Sequence, residues 1–360
     1  MTPYNNLSVK IFGGSHEKNI GVEIEGIPVG TKIDLEKLRA FTDRRKSGKY
    51  AFSTPRKEAD EAIFESGIDS ENTVTGKIRA VIENTDIRPS DYGYSVTPRP
   101  SHADYVSVKK YGQAFSGGGA FSGRMTAPMC IAGGIAKQIL AKNGIQVLAY
   151  ISEMAGIECY TYNNGIPNAD IISACHDSRF PVIGEDKLGI LQESLTEFAR
   201  RGDTVGGIIE CIVFNPPIGL GGPLEDNLEG RLASALFSIP AVKAVESGLG
   251  RDVARLGGLK ANDPFEIRDG RVVTSTNNAG GINGGISNGM PITLRVSFRP
   301  TPSVAAPQRT VNLETMENVT LEIKGRHDIA FLPRAVPVVE SQVALVILDS
   351  LLDDKITGNI

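Results

Sequence analysis

No tryptophan occurs in the 360 residues, and only four cysteines and four histidines do. Cys130, Cys159, Cys175 and Cys211 are widely spread and form no C-x-x-C pair, so neither a zinc knuckle nor a disulfide framework is signalled. Buried free thiols in a reducing compartment are the expectation. An excess of one charge is missing too. The 38 Lys and Arg against 42 Asp and Glu leave a formal net charge of −4, which provides no long-range attraction to nucleic acid or to an anionic membrane surface. No apolar run reaches the about 18 residues of a spanning helix, and residues 1–12 lack the basic, apolar and cleavage regions of an export signal. These absences predict a cytoplasmic protein with no nucleic-acid or membrane partner.

Glycine, by contrast, is plentiful at 40 residues, with 20 prolines beside it. That composition suits tight turns and close backbone approaches more than a helical bundle. No Pro/Ser-rich linker or charge block divides the chain, so a single compact unit is expected. The clearest strand spans residues 291–299, where Ile292, Leu294, Val296 and Phe298 alternate with polar neighbours. Val319, Leu321 and Ile323 repeat the pattern, weaker alternation marks 21–26 and 78–82, and apolar runs at 145–151 and 207–214 read as more buried strands. One-sided alternation predicts antiparallel pairing. Leu188, Leu191, Leu195 and Phe198 share one helical face that ends at Gly202, a left-handed cap. Further helices are predicted at 35–44, 126–143, 226–237 and 338–352. Residues 21–38 and 207–232 each run from strand through a Pro/Gly turn into helix, a loose hint of duplication.

Chemistry is sparse in candidates. Each histidine has a carboxylate at most two positions downstream: His16 with Glu17, His102 with Asp104, His176 with Asp177, His327 with Asp328. General acid–base work and metal ligation both use such pairs, but no H-x-x-x-H or H-E-x-x-H spacing supports a metal. His176 lies in a polar run and reads as a surface or structurally hydrogen-bonded side chain. His16, His102 and His327 sit in turn-like or glycine-rich strings. Arginines recur at 44–45, 56, 124, 299 and 326, and guanidinium forks suit a small polyanion. The run Gly117-Gly118-Gly119-Ala120-Phe121-Ser122-Gly123-Arg124 precedes a predicted helix and matches neither the Rossmann nor the Walker spacing. A second glycine-rich stretch spans 277–289.

In order along the chain, several strings resemble the chorismate synthase family: Gly13 through His16, Asp43-Arg44-Arg45, residues 53–60, Glu83-Asn84-Thr85-Asp86 and His102-Ala103-Asp104-Tyr105. The glycine run ending in Arg124, residues 238–243 and 277–289, Arg299-Pro300-Thr301, Gly325-Arg326-His327-Asp328 and residues 333–337 complete the series. The resemblance implies an α+β fold, a β-α-β sandwich in which antiparallel sheets flank a helical layer, internally duplicated in a single domain over residues 1–360. It also implies a homotetramer. The implied reaction is an anti 1,4-elimination of phosphate from 5-enolpyruvylshikimate 3-phosphate, giving chorismate with reduced FMN and no net redox change.

By the same resemblance, His16 protonates the reduced flavin, His102 stands beside the leaving phosphate and Asp328 relays the substrate proton near flavin N5. Ser15, Arg45, Arg124 and Arg326 match substrate-binding positions. The FMN contacts map onto Ala120, Phe121, Ser122, Pro240, Ala241, Gly284, Arg299, Pro300, Thr301, Pro302, Ser303 and Arg326. Arg45 also matches an NADP position, which makes NADPH a candidate reductant. The sequence departs from the family strings at Gly14 and Glu17, where a carboxylate moves from before the serine to after the histidine. Further departures are Ala51 for an arginine, Ser101 for a glycine, Ala120 for Arg or His, and residues 329–331. A flavin- or ligand-binding paralogue without turnover is the alternative reading.

Overall fold

The computed structural model describes residues 3–48, 52–53, 58–85, 94–178, 180–323 and 328–353. Strands β1 (Ser8–Gly13) and β2 (Asn19–Glu25) lead into α1 (Leu35–Asp43), followed by β3 (Ile63–Ile68), β4 (Val74–Glu83), α2 (Asp104–Tyr111) and the long α3 (Thr126–Lys142). The chain continues through β5 (Gln146–Met154), β6 (Ile157–Glu158), α4 (Ala169–Cys175), α5 (Leu188–Arg201), β7 (Gly207–Phe214), α6 (Leu228–Phe237) and β8 (Val242–Ser247). After α7 (Gly258–Ala261) come two hairpins, β9 (Phe265–Arg268) with β10 (Arg271–Thr274), and β11 (Ile282–Asn283) with β12 (Ile286–Ser287). Strand β13 (Ile292–Phe298), the hairpin of β14 (Gln308–Asn312) and β15 (Glu317–Leu321), and helix α8 (Leu332–Leu351) complete the order.

Two antiparallel sheets enclose the helices. The first runs β1-β2-β4-β3 and the second β6-β5-β7-β13-β8. Without the short β6, each sheet follows the same plan: its four strands, in chain order, stand 1-2-4-3, with a helix after the second strand (α1 or α6) and a long helix after the fourth (α3 or α8). Alternation sets which face is buried. In β2, Ile20, Val22 and Ile24 are buried, while Glu23 turns outward to pair with Arg79 and Lys77. Burying each such aliphatic side chain is worth about 1.5–3 kcal/mol.

Helix α3 lies on the first sheet, α8 on the second, and the two helices pack on each other. A glycine permits this contact: a Cβ on Gly133 would stand 2.1 Å from the Cβ of Ser341. The sandwich of antiparallel sheets around helices agrees with the expected fold class. The four cysteines are buried and free.

Two helix starts differ. Helix α8 starts at Leu332, six residues before the predicted position, because Pro333 falls in the first turn, where a missing N–H costs nothing. Pro337 then sits inside the helix, and its carbonyl accepts from Ser341 Oγ at 2.6 Å. The predicted start of α6 at residue 226 also moves, to Leu228, because Asn227 caps the helix through the N–H of Gly230.

Candidate active site

The turn between β1 and β2 carries Ser15 and His16, and a glycine run lies across it. Gly117, Gly118 and Gly119 all have positive φ, at 55°, 87° and 50°, a backbone that side chains other than glycine's rarely adopt. The His16 ring packs on this backbone so closely that a Cβ at Gly117 would meet His16 Cε1 at 1.7 Å. Ser15 is fully buried; its hydroxyl donates to Gly117 O at 3.1 Å and stands 3.1 Å from His16 Nδ1. A hydroxyl has one hydrogen. With that hydrogen on Gly117 O, the hydroxyl oxygen is left to accept from an Nδ1–H of His16.

His102 approaches the next glycine. Its Cε1 and Nε2 would lie 3.5 and 3.6 Å from a Cβ at Gly118, so the two histidines sit over adjoining residues of one glycine run. His102 follows a turn closed by His102 N donating to Arg99 O at 3.2 Å, in which Ser101 takes φ 58°. That left-handed conformation is the physical reason a glycine suits the position. Nδ1 of His102 is 2.7 Å from Asp104 Oδ1, and Arg99 donates to both oxygens of the same carboxylate, at 2.7 and 2.8 Å. Burial alone would raise the Asp104 pKa, but the hydrogen bonds from Arg99 and His102 outweigh it and hold the carboxyl well below its ordinary range.

Behind the glycines lies a buried arginine–carboxylate cluster. Arg124 Nη1 contacts Asp60 Oδ1 and, at 3.1 Å, Glu58 Oε2, and its Nε donates to Asn84 Oδ1 at 3.0 Å. Asn84 in turn donates to Gly14 O and Glu17 O, which ties the cluster to the His16 turn. Arg45 donates to Thr126 Oγ1 at 3.0 Å, Asp60 Oδ2 at 3.2 Å and Gly123 O at 2.8 Å. Burial first, then the nearby Arg334 and Arg124, pull the Arg45 pKa down to about 10, still protonated at neutral pH. Arg124 Nη2 is buried and has no hydrogen-bond partner among the described residues. An unused charged donor in a buried ion cluster is open to an anionic partner.

The remaining residues named from the sequence divide into groups. Ala120 and Phe121 are exposed and Ser122 half-buried at the rim of the glycine turn, where Phe121 meets Tyr111 and Phe115 in an aromatic cluster. Arg299, Pro300, Thr301, Pro302 and Ser303 flank the His102 turn: Arg299 Nη1 donates to Ser101 O at 2.9 Å, and Ser303 Oγ accepts from Arg99 at 3.4 Å. Pro240 and Ala241 join them, since Arg299 N donates to Ala241 O at 3.0 Å. Gly284 is set apart. Its hairpin packs on the first residue of α6 through Leu228 N and Gly285 O, whereas Pro240 and Ala241 follow the last turn of that helix. Asp328 accepts from Arg334 Nη1 with both oxygens, at 2.9 and 2.8 Å. Arg326 and His327 lie outside the described residues, as does Ala51. Glu17 is exposed, and its carboxylate fills the space over Gly14, where a Cβ would be 2.9 Å from Glu17 Oε1. His176 is buried, as discussed below.

Asp60, Glu58, Asn84, Arg99, Asp104 and Arg334 have no assigned role in the sequence reading, although five of them lie inside the strings that carried the resemblance. Arg99 stands just outside one. Their signal was position within a motif; which partner each would meet is a matter of tertiary contact.

Two imidazoles over one glycine run, beside a buried arginine–carboxylate cluster on an α+β sandwich, form the candidate site of an enzyme. The family model described as chorismate synthase matches residues 7–352. A chorismate synthase of Thermococcus kodakarensis is 45% identical over 353 residues, covering 96% of each chain, and one of Dehalococcoides mccartyi strain BAV1 is 43% identical over 351 residues, covering 96% of this chain and 95% of its own. A solved structure titled as the crystal structure of chorismate synthase superposes with a TM-score of 0.77 at 26% identity, covering 97% of this chain and 93% of the other. The chain belongs to the chorismate synthase family, a family of lyases.

Proposed function

We propose that the protein is an active chorismate synthase that takes 5-enolpyruvylshikimate 3-phosphate to chorismate and phosphate. The observation that carries this reading is the convergence of His16 and His102 on Gly117 and Gly118, in front of a buried cluster whose Arg124 retains an unused donor. In the anti 1,4-elimination a C–H bond and a C–O(phosphate) bond break, one new C=C bond forms, and proton and phosphate depart without net oxidation.

The residues present fit the reduced FMN that the family reaction requires. The Phe121 and Tyr111 rings are partly exposed at the rim of the glycine turn on which both histidines pack, and buried guanidinium groups suit a phosphate. Ala120, Phe121, Ser122, Pro240, Ala241 and the segment Arg299 to Ser303 would hold the flavin next to the His102 turn. When bound, reduced flavin supplies electron density to the electron-poor allylic fragment that phosphate departure leaves. The chain's own residues do the rest. His102 holds a proton at Nε2 for the departing phosphate, with positive charge on its ring balanced by Asp104. His16 holds the second proton, over the neighbouring Gly117. Arg45 and Arg124, with Arg326, bind the substrate's anionic groups, and Asp328, steadied by Arg334, accepts the substrate proton.

The same reading makes the protein a cytoplasmic homotetramer and a single domain of two related halves. The shared strand order of the two sheets supports the halves. Exposed Phe265, Ile267 and Val272 on the β9–β10 hairpin suit burial against another copy.

The test is anaerobic incubation with 5-enolpyruvylshikimate 3-phosphate and chemically reduced FMN, following phosphate and chorismate. Both products should appear in equal amounts. Replacing His102 with alanine should cost about 10²–10⁴-fold in turnover while FMN binding is kept. Absence of product despite FMN binding would favour the ligand-binding paralogue. Product formed from NADPH and oxidised FMN alone would identify NADPH as a reductant the protein itself uses.

A further inference from the structure

Three groups meet at the ring nitrogen of His102 that faces away from Gly118. Asp104 Oδ1 is 2.7 Å from Nδ1, Arg99 Nη2 is 3.1 Å from it, and the same Arg99 Nη2 donates to Asp104 Oδ1 at 2.8 Å. The three contacts cannot all be hydrogen bonds: a bare Nδ1 accepts from Arg99 at 3.1 Å, whereas a protonated Nδ1 donates to Asp104 at 2.7 Å and leaves Arg99 Nη2 to the carboxylate alone. A carboxylate accepts and a guanidinium donates, neither doing the reverse. Were Nδ1 without its hydrogen, its lone pair would face an anionic oxygen at 2.7 Å, a repulsive contact. With the hydrogen on Nδ1, the imidazole donates to Asp104, and the basic nitrogen is Nε2, on the glycine side.

The carboxylate is itself fixed. Arg99 Nε donates to Asp104 Oδ2 at 2.7 Å, Arg99 N to the same oxygen at 3.1 Å, and the guanidinium stacks 4.3 Å from the Tyr94 ring centroid. Asp104 is 3% exposed, at the first turn of α2. We infer that Asp104, braced by Arg99, is a positioning residue for His102: it sets the tautomer and ring orientation that present Nε2 to the site. This rests on the proposed role of His102, and it goes beyond that role by assigning the tautomer to two residues outside the reacting groups.

A change of Asp104 to asparagine keeps size and removes one acceptor. Arg99 can only donate, so it claims the single amide oxygen and turns the amide N–H₂ toward His102 Nδ1. The imidazole then accepts at Nδ1 and carries its hydrogen on Nε2, the reverse of the native arrangement. Nitrogen-15 NMR of the histidine rings, with four histidines to assign and His102→Gln to identify the signal, reads this directly. The native protein should show a pyridine-like Nε2 for neutral His102, and Asp104→Asn a pyridine-like Nδ1. Turnover of Asp104→Asn should fall about 10²–10⁴-fold, with KM for the phosphate substrate and affinity for FMN within about 3-fold. Placed on His102→Ala, the same change should cost less than about 3-fold, because its target is gone.

The native spectrum needs no variant to fold and no turnover. A pyridine-like Nδ1 in the native protein overturns the inference. So does an Asp104→Asn protein that keeps the native tautomer, or one that lowers turnover as much on His102→Ala as on the native background. A native Nδ1–H tautomer in a protein that makes no chorismate would leave the positioning intact and remove the proposed reaction.

Discussion

Arg44 and Arg45 are adjacent in sequence and end in two different buried ion clusters. Arg44 turns into the helical layer, where its Nη1 and Nη2 each donate to Glu340 at 2.9 Å. Glu340, on α8 and fully buried, also takes Lys137 Nζ and, at 3.0 Å, the N–H of Ala149. His176 Nε2 closes the group, 2.7 Å from Ala149 O and 3.5 Å from Glu340. Arg45 turns the other way, to Asp60, Thr126 and Gly123, beside Arg124. One cluster brings Arg44 from the end of α1, Lys137 from α3, Ala149 from β5 and His176 from the end of α4 onto a single carboxylate of α8. The other lies behind the glycine run on which His16 and His102 converge, and Asn84 ties it to the His16 turn. On the proposed function, the first holds the sandwich together and the second faces the ligand.

The largest effect should come from the closed cluster. Glu340→Gln leaves Arg44 and Lys137 buried against a neutral amide and should cost about 3–5 kcal/mol, the range for breaking a buried ion pair. Urea unfolding measures it, and a loss below about 1 kcal/mol would sink the structural role. Burial alone would raise the Glu340 pKa, but Arg44 and Lys137 hold it well below the ordinary value of 4.5. A depressed carboxyl contributes its full stability above the unfolded value and loses it as pH falls below. The native fold should therefore weaken in acid, and Glu340→Gln should flatten that limb.

In the cluster beside the histidines, Arg124→Met should lower turnover by about 10²–10³-fold, the scale of one charge-stabilising donor. Steady-state rates of phosphate release check this, and a rate within 3-fold of native would remove Arg124 from the site.

His176 returns to the closed cluster with a smaller effect. Burial, against the pull of Glu340, lowers its pKa from 6.5 to about 4. Between those values the unfolded chain takes up a proton that the native ring refuses, so stability falls as pH drops from 6.5 toward 4. His176→Gln, which keeps a side-chain N–H for Ala149 O, should delay the decline to the carboxylate range. An unchanged profile of stability against pH would contradict the assignment.

The smallest effect concerns the His102 turn. Ser101→Gly should stabilise the fold by at most about 1 kcal/mol, since φ 58° costs serine strain that glycine escapes. A melting temperature lower than native would show that the hydroxyl outweighs the strain.

Much of the frame was legible before any coordinates. Period-two alternation at 291–299 became β13, the run at 207–214 became β7, and the Leu188 face ended on Gly202 at φ 66°. Such signals survive because they are local. The start of α8 was hidden by Pro333 and Pro337, which local rules count against a helix and which tertiary packing overrides. The histidines and arginines of the site were visible as residues, but their settings were not. That Ser15 directs His16 while Asp104 directs His102, or that Glu340 gathers Arg44, Lys137 and His176 from separate elements, follows from contacts between segments far apart in the chain. His176 illustrates the limit: a surface or structurally bonded side chain was expected, and the structure selects the buried, hydrogen-bonded one.

The central claim is that the Glu340 cluster holds the fold and the Arg124 cluster, beside the two histidines, binds the anion. The most direct test is the shift in unfolding free energy on adding 5-enolpyruvylshikimate 3-phosphate, measured for the native protein, Arg124→Met and Glu340→Gln. At about 100 times Kd the ligand should stabilise the native protein by about 2.7 kcal/mol. The account predicts that Glu340→Gln, though less stable, keeps this increment, and that Arg124→Met loses most of it at the same ligand concentration. An increment preserved in Arg124→Met, or abolished in a folded Glu340→Gln, would contradict it.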